Sequence, residues 1–454
     1  MKRALVVLSL LLFPASADAQ EALAFTGVNV IPMDRETVLR NQTVVVSNGR
    51  ITSLGAADRV TVPAGATRVE AQGKFLMPGL AEMHGHIPSP NQSGSLEFAE
   101  DVLFLYVAGG VTTVRGMLGH PAHLDLKRRV NAGELVGPRI WTSGPSINGR
   151  SAPTPAAAES MVIAQKAAGY DFMKIHPGPS RATFDALDRV ADSVGMRYAG
   201  HVPTAVGVPR ALEAGYWSID HLDGYMQALV AEGAEPADVE APLSAFGPHL
   251  APYVDEAKIA ELARRTKEAG VWNVPTETLM QTYLPGITLE HFTERPELRY
   301  MPAQWIEGWT QTQRNVLSSG VTDETKRRFI EVRQALIRAL HAEGAGLLLG
   351  SDAPQIWNVP GFSVHHELAA IVAAGLTPYE ALVTGTRNVA AYFGVADAGT
   401  IAVGQRADLI LLNANPLEDI RNSTRRAGVV VNGRWLPAAE IATRLEAIAA
   451  KHAR

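Results

Sequence analysis

Six side chains in this sequence could assemble a chemical site: His84, His86, Lys174, His201, His221 and Asp352. Each lies at or near the C-terminal end of a short β-branched or aromatic run. If those runs are parallel strands of one sheet, all six face the same rim. His84 and His86 close the run through Met83-His84-Gly85-His86. The two-residue pleat of a strand points both imidazoles the same way, and Gly85 lets the backbone bend between them. His201 ends the run Arg197–Val202, His221 lies in Ser218–Leu222, and Asp352 ends Gly346–Asp352. Four imidazoles and a carboxylate are the donors that Zn²⁺ and similar ions prefer. The chain has no Cys, so it offers neither a thiolate site nor a thiol nucleophile.

Lys174 sits in Asp171-Phe172-Met173-Lys174-Ile175-His176, near the end of its own run. Among cations a lysine loses basicity, and the neutral amine can take up CO₂ as a carbamate, an anionic bridge between two metals. A snorkelling or salt-bridged lysine is the plain alternative. Asp352 could likewise be only a helix N-cap. Three further residues are candidates for substrate contact. His176 shares the face of Lys174, His365 follows the last run, and Arg115 ends the second run, where it could meet a substrate carboxylate or serve a structural salt bridge.

The elements that would hold these residues alternate along the middle of the chain. Eight runs, Phe75–Met83, Val111–Gly116, Arg139–Gly144, Phe172–His176, Arg197–Val202, Ser218–Leu222, Val271–Thr276 and Gly346–Asp352, are separated by amphipathic stretches such as Ala156–Ala168, Arg181–Val194, Lys258–Ala269 and Thr325–Ala342. From the second run onward a glycine precedes each (Gly110, Gly137, Gly169, Gly195, Gly215, Gly270, Gly344), the place for a left-handed helix stop feeding a strand. The expected fold class is α/β, with a (β/α)8 TIM barrel over residues 78–395. Insertions Tyr225–Val254 and Glu277–Ser319, the latter carrying Tyr283, Tyr300, Trp305 and Trp309, follow strands and should overhang the C-terminal mouth.

Both flanks alternate as short strands with Asn48-Gly49 and Asn432-Gly433 hairpin signals. Residues 20–77 and 396–454 are each too short for a domain. Together they predict one small β-sandwich beside the barrel, with a last helix over Ala438–Ala450.

The chain has 454 residues, 46% hydrophobic, and 41 basic against 46 acidic residues, with no basic block; nucleic acid is excluded as an expected partner. Lys2 and Arg3, an apolar run to Phe13 and the small residues Ala15–Ala19 read as a signal peptide over residues 1–19. The expected location is therefore periplasmic or secreted. No later apolar segment is long enough to span a bilayer, so no stable membrane insertion is expected after cleavage.

Pro78-Gly79-Leu80-Ala81-Glu82-Met83-His84-Gly85-His86, with Lys174, His201, His221 and Gly350-Ser351-Asp352, resembles the amidohydrolase superfamily, nearest its imidazolonepropionase-like and prolidase-like branch. The resemblance spans nearly the whole chain after residue 19, including Gly404-Gln405-Arg406-Ala407-Asp408-Leu409. It implies two divalent ions, zinc being the expected metal. His84, His86 and Asp352 would hold the buried ion and His201 and His221 the outer one, with N-carboxylated Lys174 bridging them. It also implies a barrel that often assembles, so a homo-oligomer is compatible.

The implied reaction is hydrolysis of an amide or peptide bond, in a dipeptide or an N-acyl amino acid. A water acidified by the two ions attacks the carbonyl, while Asp352 takes its proton and returns it to the leaving amine. Ester, lactone or cyclic-amide hydrolysis by the same site is the alternative. A one-metal deaminase fits less well because such enzymes usually lack the lysine, and a metal-binding protein without catalysis would not need Asp352. The sequence departs from many relatives at Arg115-Gly116, which lacks a following Asp, and at His201-Val202-Pro203-Thr204, which lacks a Tyr.

Overall fold

The structure, a computed structural model, describes residues 22–236 and 246–453. The expected signal peptide, and residues 237–245 of the first insertion, lie outside the described residues.

Seven short parallel strands form the centre. Leu80–Gly85, Val111–Gly116 and Arg139–Thr142 make one sheet, and Met173–Ile175, Tyr198–Gly200, Ser218–Asp220 and Trp272–Val274 make another. A parallel bridge from Ser143 to Phe172 joins the two. The expected eighth strand, Gly346–Asp352, forms no regular strand. Asn273 N donates to Gly346 O at 2.8 Å and Leu348 N to Asn273 O at 2.9 Å, while Met83 N donates to Leu349 O at 2.8 Å. This segment is thus bonded to both the seventh strand and the first.

Helices connect the strands, and their ends follow the sequence. Helix Arg181–Val194 starts at Ser180, whose hydroxyl accepts from Thr183 N, and stops at Gly195 with φ 60°. Helix Asp323–Glu343 is capped by Thr322, carries Asp323 and Glu324 in its first turn, and ends at Gly344 with φ 73°. Gly137 differs from the other predicted stops, because it is absent from the positive-φ residues and its space is bounded by Val130 and Leu103.

The first expected run is two strands. Phe75–Pro78 pairs with Val30 and with Leu409–Leu412 in an outer sheet, and only Leu80–Gly85 joins the centre. Gly79 makes the crossing, where an added Cβ would lie 2.1 Å from Thr112 Oγ1. The outer sheet has eight strands drawn from both chain ends, joined by pairing into one sheet. Its two hairpins turn at Asn48-Gly49 and Asn432-Gly433, all four residues at positive φ as a type I′ turn requires. One apolar core lies among the central strands and helices, and a second, including Phe25, Val44, Leu76 and Leu411, lies on the outer sheet. Helix Ala438–His452 contributes Ile441 and Ile448 to a third cluster with Phe104, Leu105 and Val431.

The second insertion folds into helices, the longest Ala303–Leu317. Its aromatic residues mostly pack inward: Trp309 and Tyr283 are buried, and Phe292 stacks on Trp357 at 5.5 Å. They join the central apolar core more than they build a substrate wall. No described helix is long and apolar enough to cross a membrane.

Candidate active site

Strand geometry brings all six residues together. His84 lies within the first strand and His86 just beyond it; their imidazoles are 5.4 Å apart, and both reach Asp352 Oδ1, at 3.6 Å and 2.7 Å. His221 stands 4.4 Å from His84 and 4.7 Å from His201, measured between ring centres. Lys174 Nζ is 3.3 Å from His84 Nε2. Its stem runs past Gly200, where an added Cβ would lie 2.8 Å from Lys174 Cδ and 2.4 Å from Ile175 O. Asp352 and His221 take φ 63° and φ 61°, so both break from extended geometry as they turn over the strand ends.

Burial sets the protonation states. His84, His221 and Lys174 lie out of water, which disfavours their charged forms: both imidazoles are held well below the usual histidine range, and the lysine is lowered. Neutral imidazoles are what a cation needs as ligands.

The hydrogen bonds around them select tautomers. Thr276 Oγ–H donates to Pro275 O at 2.7 Å, so its oxygen accepts from His221 Nδ1–H at 2.8 Å, leaving the Nε2 lone pair free. His201 Nδ1 pairs with Asp223 Oδ2, which frees its Nε2 in the same way. The donor set fits a divalent cation. His84, His86 and Asp352 are all buried and offer donor atoms within 4.8 Å of one another. His84 Nδ1, 3.1 Å from Asp220 Oδ2 but outside hydrogen-bond geometry, is a buried nitrogen with no hydrogen-bond partner.

Asp220 is the residue that the sequence did not single out. It is fully buried, and it faces Lys174 Nζ at 3.5 Å as well as His84. Arg115 holds its other oxygen at 3.0 Å. Arg115 is thereby corrected: it has no exposed surface, and its remaining donors go to Met83 O, Ser218 Oγ and the Tyr392 hydroxyl. Every nitrogen is spent inside the protein, so it meets no substrate.

His365 is also corrected. Its Nδ1 contacts Ser423 Oγ and its Nε2 contacts Gly109 O and Arg426, each at 2.9 Å, in the packing between helix Ser363–Ala373 and the outer sheet. His176 stays beside the cluster, its ring 5.1 Å from that of His201 and its Nδ1 2.7 Å from Ser146 Oγ. Phe246, from the first insertion, stands edge-on to His221 at 5.3 Å.

Glu82 supports the cluster from below. It accepts from His84 N at 3.0 Å and from Ser351 N at 2.8 Å, and burial pushes its carboxyl up to about 8. One carboxyl group therefore ties the first strand to the segment that ends in Asp352.

A family model, the amidohydrolase family, matches residues 75–436. Imidazolonepropionase of Mycolicibacterium smegmatis is 26% identical over 388 residues, which cover 83% of this chain and 85% of that protein. Two solved structures share the fold. Bottromycin amidohydrolase aligns with a TM-score of 0.71 at 24% identity over 94% of this chain and 90% of that one. A Xaa-Pro dipeptidase with methionine bound in its active site aligns at 0.66 and 19% identity, over 92% and 100%. The chain belongs to the amidohydrolase family, and is accordingly a hydrolase acting on carbon–nitrogen bonds.

Proposed function

We propose that this protein is an exported, binuclear metal-dependent amidohydrolase that cleaves a dipeptide or an N-acyl amino acid. The observation that carries the reading is the clustering of His84, His86, His201, His221, Lys174 and Asp352 at the strand ends, with Nδ1 of both outer imidazoles engaged so that Nε2 is left for a cation. The catalytic unit is the (β/α)8 barrel of residues 78–395, supported by the bonding of the eighth segment to strands on either side. The flanks, residues 20–77 and 396–454, form the small second unit.

His84, His86 and Asp352 would hold one divalent cation and His201 and His221 a second, with N-carboxylated Lys174 between them. Bound there, such ions supply Lewis-acid polarisation of a carbonyl and a more acidic water. Asp352 does the proton work. Its carboxylate takes a proton from the attacking water and passes it to the departing amine nitrogen. Asp220, anchored by Arg115, keeps negative charge beside Lys174 and His84. His176 and Phe246 stand next to the outer histidines, where they would face the substrate. The neighbour named as a Xaa-Pro dipeptidase supports a peptide-type amide as substrate. The charged, short apolar and small-residue pattern of residues 1–19 supports export.

The test is release of free amine from a panel of dipeptides and N-acyl amino acids by zinc-loaded protein, with and without chelator. Chelator-sensitive amine release is expected. Hydrolysis confined to esters or lactones would replace the peptide-type substrate with the alternative.

A further inference from the structure

Arg333 lies in the middle of helix Asp323–Glu343, outside every motif of the sequence, yet it is only 1% exposed and points into the strand ends. Its Nε and one terminal nitrogen bind Glu277 Oε1 at 2.9 Å and 2.6 Å. Neutralising that carboxylate needs no more than this edge of the guanidinium. The other donors reach further: one to His221 O at 2.8 Å, another to Pro275 O at 2.9 Å. Both carbonyls belong to residues that close the sixth and seventh strands.

The backbone they hold is costly. His221, Leu222 and Thr276, none of them glycine, take φ of 61°, 54° and 55°. Such residues keep that conformation only where their surroundings over-determine it. His221 N donates to Val274 O at 2.7 Å, so its peptide is gripped on one side by the seventh strand and on the other by Arg333. Pro275 O is a shared acceptor, taking Arg333 and the Thr276 hydroxyl together. Because that hydroxyl's hydrogen is committed to Pro275, its oxygen receives His221 Nδ1–H, and Nε2 is left as the donor atom.

We infer that Arg333 is a positioning residue for the outer cation site. It fixes the turn that presents His221 and, through Pro275 and Thr276, the tautomer that makes His221 a ligand. The inference rests on the binuclear reading above.

The experiment measures zinc stoichiometry and affinity by chelator competition, together with thermal unfolding, for wild type, Arg333→Lys and the charge-balanced pair Arg333→Met with Glu277→Gln. Removing Glu277's charge along with Arg333's avoids stranding a buried carboxylate. Both variants are expected to hold the tighter zinc as wild type does and the weaker zinc about 10–100-fold less firmly, the usual effect of losing a support behind a ligand. Lysine keeps the charge beside Glu277 but lacks the planar fork that spans two carbonyls, so it tests the geometry if the double variant fails to fold. Wild-type affinity for both zincs in either folded variant overturns the inference and leaves Arg333 as no more than Glu277's counter-ion. Wild-type protein that takes up a single zinc overturns the binuclear reading itself, and the inference with it.

Discussion

Asp220 and Arg115 illustrate what single residues do beneath this site. A carboxylate with no exposure survives because Arg115 pairs with one oxygen while Lys174 and His84 face the other. Arg115→Met removes the arginine partner of Asp220 and leaves that carboxylate buried beside a lysine whose own basicity is lowered. The expected cost is about 3–5 kcal/mol in urea unfolding; a change below about 1 kcal/mol would contradict this reading of the pair. Glu367 allows a pH test away from the ligands. Burial, with Glu277 nearby, raises its carboxyl well above the ordinary value, so it folds protonated. The unfolded chain ionises once pH passes the ordinary carboxyl range, so Glu367's contribution is fully present below that range and is lost as pH rises towards the folded value. Glu367→Gln does not titrate. Its Tm relative to wild type should therefore climb as pH rises above the ordinary carboxyl range, and a flat difference would contradict the shift. The histidines and Asp352 were legible because metal-type donors fell on the ends of four of the eight runs. Asp220 was not, although Ser218 and Asp220 share a face two residues apart, and a carboxylate on the inward face of a buried strand is itself a signal.

At the scale of elements, glycines set how closely the strands approach. At Gly350 an added Cβ would stand 2.7 Å from His84 N and 2.5 Å from Val274 Cγ1. Gly350→Ala should push the first strand from the segment carrying Asp352. Overpacking of this kind costs about 1–3 kcal/mol, read as a lower Tm, together with weaker zinc binding; unchanged zinc affinity would show that the two segments tolerate separation. Helix boundaries were the most legible elements. Arg181–Val194 matches its expected span because Ser180 and Gly195 mark both ends in the local sequence. The eighth strand was less so. Gly346–Asp352 has strand-like composition, but its pairing is limited to a bridge at Leu347 and a few backbone bonds, and that depends on neighbours remote in the chain. The split at Gly79 was missed for the same reason. Phe75–Met83 reads as one apolar run, and only contacts with Leu409–Leu412 and Val111–Gly116 divide it.

For the whole molecule, the outer sheet makes both chain ends necessary to the centre. Residues 409–437 supply three of its eight strands, and Val429, Val431 and Leu436 pack on Phe104 and Leu105. Ending the chain at residue 408 would expose the edge of Phe75–Pro78 and strip that apolar face, inviting aggregation. Loss of soluble, cooperatively unfolding protein is expected, and a soluble truncated protein with the wild-type Tm would contradict the account. The α/β alternation was legible because its glycine marks and the flanking hairpins recur over hundreds of residues, and the family through the resemblance carried by Pro78–His86, Lys174, His201, His221 and Gly350-Ser351-Asp352. Substrate was not, because it depends on the rim, where the aromatic residues of the second insertion turned inward and left His176 and Phe246 beside the outer histidines. The central claim is that Asp352 moves the proton in a metal-dependent hydrolysis. The most direct test is turnover and zinc content measured on the same Asp352→Asn preparation. Zinc retained, with turnover down about 10²–10⁴-fold, is the result this account expects; zinc and turnover both retained would contradict it.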